Sequence, residues 1–351
     1  MYSETDLESA VAAGKLSPEA AVALRDHVSG LRATPMVDEE NFRLITGFND
    51  IFVAIAGILL LVGAAWIGGE IHPALGGIFV AALSWGLAEY FTKLRRMALP
   101  SIIFLLAFIG GVFAASVGIL IGEDGNVGEG DRVGALLIAA SAAITVAAAY
   151  AHWRRFYVPI TIAAGIAALA GVVVALLLAV APGIEIAMNL ILLLVGLSVF
   201  AFAMRWDMQD PARTTRKSDV AFWLHLLAAP LIAHPIFATL GLLKGDASVT
   251  TALIVVALYI AMGIIALAVD RRALLVSALA YVIAAIISLF REFGAVSLNV
   301  ALAVFVIGSA LLLLSAFWQD ARRMVVGFLP DGVRQRLPHL GTLAFSPQPA
   351  S

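Results

Sequence analysis

Residues 51–68, IFVAIAGILLLVGAAWIG, run for 18 positions without a charge. A stretch of that length is enough to cross the hydrocarbon core of a bilayer as a helix. A helix is required there because it satisfies its own backbone N–H and C=O groups where no water can. Similar runs recur downstream, and the sequence predicts ten spans, at 51–68, 71–90, 100–121, 134–151, 157–180, 184–204, 220–242, 249–269, 273–290 and 296–317. The expected fold class is therefore all-α: a polytopic transmembrane helical bundle of about ten spans (49–317). A small N-terminal cytoplasmic helical hairpin and linker (1–48) should precede it, and an interfacial helix with a disordered tail (318–351) should follow. Composition agrees, since 62% of the 351 residues are hydrophobic and 13% charged, about half the charge of an ordinary soluble domain.

The loops supply an independent check, because Lys and Arg collect on the cytoplasmic side of a bacterial membrane. With the N-terminus inside, 19 of the 22 basic residues fall in inner segments, leaving Arg132, Lys244 and Arg291 outside. Tyr90, Tyr150, Trp153, Trp206 and Trp318 lie near the inner ends, as aromatic side chains of an interfacial belt do. The expectation is a multi-pass protein of a bacterial inner membrane with both termini cytoplasmic and the lipid bilayer as its main partner. The acidic opening MYSETDLESA lacks the basic region and apolar core of a cleavable signal peptide, so insertion is expected to depend on the first span.

Cysteine is absent, which removes disulfides and thiolate chemistry. No HExxH, GxxxxGK[ST] or GxSxG pattern occurs, and no basic patch suggests nucleic-acid binding. No cofactor, metal or catalytic residue is expected, and an enzyme is not the favoured class. The span cores hold almost no carboxylates, which argues against a pump built on Asp or Glu relays.

Three inner loops share paired arginines, in LRRMALPSIIFLLAF, WRRFYVPITIAAGI and DRRALLVSALAYVI. Arg95, Arg154, Arg213 and Arg271 follow at steps of 59, 59 and 58. One explanation is a duplicated hairpin reused in parallel orientation; the other is the periodicity that any series of short basic loops produces.

The seventh span, VAFWLHLLAAPLIAHPIFATLGLL, contains His225, Pro230, His234 and Pro235. Each proline removes a helical hydrogen bond and predicts a kink. Ionisable residues inside a membrane are functional candidates, and histidine changes charge near neutral pH. His225 and His234 are nine residues apart, roughly half a turn out of phase at ~100° per residue, so they share a cavity only if a kink rotates one toward the other. The competing reading is structural, with each imidazole bonded to a neighbouring helix. Further candidates are Asn189, which should hydrogen-bond within the bundle, and Glu89, which should pair with Lys93 one turn on. Gly57, Gly110, Gly111, Gly165, Gly171 and Gly263 predict close helix approach.

In the N-terminal run LESAVAAGKLSPEAAVALRDHV, Gly14 can close a first short helix, and Ser17 with Pro18 and Glu19 can open a second. Leu24, Val28 and Leu31 then share a face. Through Leu7, Gly14, Leu16, Ser17, Pro18 and Glu19, followed by multiple spans, the chain resembles an uncharacterised family of bacterial predicted membrane proteins, a domain of unknown function. The aromatic usual in that family's first helix is replaced here by a small residue. The resemblance implies no activity, substrate or site. Two functions remain open: permease-like binding or transport of a small solute through the bundle, or a non-transporting scaffold or sensor that recruits a cytoplasmic protein partner at residues 5–33.

Overall fold

The computed structural model describes residues 9–24, 48–122, 131–181, 184–211, 213, 215–240, 248–292, 299–334 and 336–338. The chain divides into two compact units, Met1–Asn41 with Leu340–Ser351, and Phe42–His339. In the first unit, residues 9–12 and 18–24 are helical. Gly14 takes the left-handed conformation between them (φ 65°), and Ser17 Oγ accepts from the Ala20 N–H at 3.1 Å. The predicted turn is thus present. Val28 and Leu31, the outer loop at 123–130 and the C-terminal tail lie outside the described residues.

The second unit is helical and contains no strand among the described residues. Its helices are α1 (Phe48–Ile71), α2 (Pro73–Leu87), α3 (Ala98–Leu120), α4 (Arg132–Phe156), α5 (Ile160–Val180), α6 (Met188–Asp207), α7 (Arg216–Ala238), α8 (Val249–Val269), α9 (Ala273–Glu292), α10 (Asn299–Ala316) and α11 (Trp318–Gly327). A helix occupies each of the ten predicted spans. Eight, α1 to α8, are long and apolar enough to cross a membrane, which makes the chain a multi-pass membrane protein. Among the described residues the apolar part of α9 covers Ala273–Ile287. α10 bends by 75° into α11, and the pair counts as a ninth span only when taken together.

The helices joined by short turns pack as hairpins, most extensively α2 with α3, α4 with α5 and α6 with α7. Glycine sets the spacing of the first. A Cβ on Gly118 would lie 2.7 Å from the Ala74 N, and one on Gly111 2.8 Å from the Ala81 N, so the two backbones are in direct contact. Gly57 likewise admits the Phe104 ring, whereas Gly110 faces open space.

The turns α2–α3, α4–α5, α6–α7 and α8–α9 gather at one end of the bundle, called here the turn end. Each contains a non-glycine residue with positive φ: Arg96 (53°), Tyr157 (53°), Arg213 (54°) and Asp270 (61°). The four-fold spacing of arginines thus corresponds to one backbone device used four times. Side chains pay for that conformation sterically, so each turn must be fixed by contacts around it.

α7 is the most enclosed spanning helix, with half of its central window buried. It packs against α5, α6 and α9 and runs unbroken from Arg216 to Ala238 through both prolines.

Candidate functional site

Asp207 is the last residue of α6, where the helix dipole disfavours negative charge. The fold compensates from two other elements. Asp207 Oδ2 accepts from His225 Nε2 of α7 at 2.8 Å, and Oδ1 accepts from Arg271 Nη2 in the α8–α9 turn at 2.6 Å. Arg271 Nη2 also donates to the Ser218 carbonyl at 3.3 Å. All three charged or polar groups are almost completely buried. Because the carboxylate can only accept, the His225 Nε2 carries a proton; its Nδ1 is buried without a hydrogen-bond partner.

Asp270 forms the adjoining centre as the left-handed C-cap of α8. It accepts from Arg213 Nη1 at 2.8 Å and from Trp318 Nε1 at 2.6 Å, and Arg322 Nε lies 3.7 Å away. Arg322 reaches the Pro338 carbonyl at 2.7 Å, and Arg272 lies 4.9 Å from the Trp318 ring centre. Asp210 closes the α6–α7 loop by accepting from the Thr215 N–H and hydroxyl at 2.8 and 2.7 Å. Two carboxylates, Asp207 and Asp270, thus meet three guanidiniums, Arg213, Arg271 and Arg322, at the turn end of α6–α9.

These contacts bear on two expectations. α11 follows the last span, with Trp318 and Arg322 buried against Asp270. His225 and His234 do not share a cavity: His225 faces α6, while His234 Nδ1 meets the Tyr281 hydroxyl of α9 at 2.5 Å. Tyr281 also stacks on Phe237 at 4.9 Å. His225 and Pro235 are buried, while Pro230 and His234 are exposed.

Glu89 sits in a π-helical turn, Ala88–Leu94, that extends α2. Lys93 approaches it to 3.9 Å as expected, but its closer partner is Arg155 of α4, at 2.6 and 2.8 Å. Asn189 is half-buried in the first turn of α6 and makes no hydrogen bond among the described residues, contrary to expectation. Glu70 and His72 make local contacts: Glu70 accepts from Trp66 Nε1 at 3.0 Å, and His72 caps α2 by accepting from the Ala74 N–H at 3.1 Å.

Sequence reasoning missed His152. It is fully buried, lies 3.2 Å from Thr161 Oγ1 through Nδ1, and packs against Trp85, Phe108 and Phe156. It also missed Asp207 and Asp270, although a carboxylate at the end of an apolar helix, with the dipole against it, was a usable signal. Among the described residues no cluster of His, Cys, Asp or Glu could hold a metal ion. An open apolar groove of about 590 Å³ is bordered by Trp85, Phe108 and Ser116, and no residue of α7 lines it.

Comparison of the chain with known protein families, with curated proteins and with solved structures returns no match. The functional reading therefore rests on the geometry above.

Proposed function

We propose that this chain is a permease-like protein of a bacterial inner membrane, with its turn end and both termini cytoplasmic, and that it binds or moves a small solute along α7. One observation carries the reading. His234 is exposed on a helix long and apolar enough to cross a membrane, where an ionisable side chain is costly unless a polar species meets it. Its neighbour on the same helix, His225, is sealed by Asp207 and Arg271 and holds α7 to the turn end. α7 thus joins a fixed base to an open face. The orientation is supported by the sorting of 19 basic residues to one side.

Native mass spectrometry of the purified protein tests this. Wild type should retain a small molecule that His234→Phe loses while both remain folded. Identical spectra, with or without an adduct, would remove the assignment to α7.

A second reading, a scaffold or sensor, is favoured by the separate N-terminal unit, on which Val22 is half-exposed. Under that reading, crosslinking from Leu24 captures a cytoplasmic protein.

A further inference from the structure

The exposed face of α7 has a defined hydrogen-bonding polarity. Leu226, Pro230 and His234 follow at four-residue intervals, and all three are exposed. Tyr281 is 6% exposed, and among the described residues its hydroxyl finds only His234 Nδ1. A buried O–H left without an acceptor is unfavourable, so the phenol donates to Nδ1. The ring proton then resides on Nε2, which makes no hydrogen bond among the described residues. His234 therefore presents a fixed N–H donor. One helical interval back, Pro230 deprives the Leu226 carbonyl of its usual donor, and this places an acceptor on the same face.

α7 ends at Ala238, so His234 stands four residues, roughly 6 Å of helix, from that end. An acceptor that meets it from the bilayer side is carried by a mobile apolar molecule or by an ester at the edge of the hydrocarbon core.

We propose that His234, oriented by Tyr281, recognises a lipid-soluble molecule bearing a carbonyl oxygen, either a quinone ring or a simple fatty-acyl ester, that approaches α7 laterally from the bilayer. This rests on the reading of α7 as the solute-binding helix and narrows it to one chemistry.

Equilibrium dialysis of the detergent-solubilised full chain would test it with three probes: a decyl-substituted benzoquinone, a fatty-acid methyl ester, and decylbenzene, which has no carbonyl. At least one carbonyl probe should bind wild type tenfold or more tightly than decylbenzene, and the preferred probe identifies the source. His234→Phe should erase that preference, and His234→Gln, which keeps an N–H donor, should restore part of it. If all three probes bind wild type equally and His234→Phe abolishes all binding, the carbonyl assignment fails while α7 remains a binding helix. If His234→Phe changes nothing, both readings fail together.

Discussion

In α2–α5 the turn end keeps its charges at the surface, with Arg155 and Glu89 45% and 33% exposed, while in α6–α9 the corresponding turns bury Asp207, Asp270 and Arg271 to 5% exposure or less. The hairpins of the two regions each carry a left-handed non-glycine residue in the turn but differ in what holds them together. α2 and α3 cohere through glycines that bring backbones into contact, in the manner of membrane helices that gain little from hydrophobic burial. α6 to α9 cohere through ion pairs in a site sealed from water. A buried pair has little net worth while intact, yet removing one partner strands the other charge. The first region should therefore tolerate charge changes that the second does not, while both resist changes of size, since a Cβ on Gly196 of α6 would lie 2.8 Å from the Leu231 backbone of α7.

The largest effect follows from breaking the sealed network. Asp207→Ala leaves Arg271 and the His225 donor buried without their acceptor, and a loss of about 3–5 kcal/mol is expected, read as early thermal unfolding in detergent. Asp207→Ala combined with Arg271→Met should recover much of that loss. Next comes size: Gly118→Val forces α2 and α3 apart where a Cβ already meets the Ala74 backbone, at a cost of about 1–3 kcal/mol. Smallest is Glu89→Gln, because its partners are half-exposed and such pairs contribute about 1 kcal/mol or less. An unfolding midpoint shifted as far by Glu89→Gln as by Asp207→Ala would erase the contrast between the regions.

The positions of the spans were legible because uninterrupted apolar length and basic loops are properties of the chain itself. The fate of individual arginines was not. Arg155 and Arg271 belong to the same repeated motif and look alike in sequence, yet one is solvated and the other is buried, because only the second has a carboxylate, Asp207, brought beside it from 64 residues away. The prolines of α7 marked the helix that packs against α5, α6 and α9, but not which neighbours it meets. His225 and His234 were both marked by residue type. Their division into a sealed partner and an exposed donor depended on Asp207 and Tyr281, which lie on other helices.

That division is tested most directly by carbethoxylation with diethyl pyrocarbonate, which enters membranes and modifies accessible imidazoles, followed by peptide mapping. His234 should be modified well before His225 and His152, which should resist until the protein unfolds. Modification of His225 at the same rate as His234, or a His234 that stays unmodified, would contradict the account.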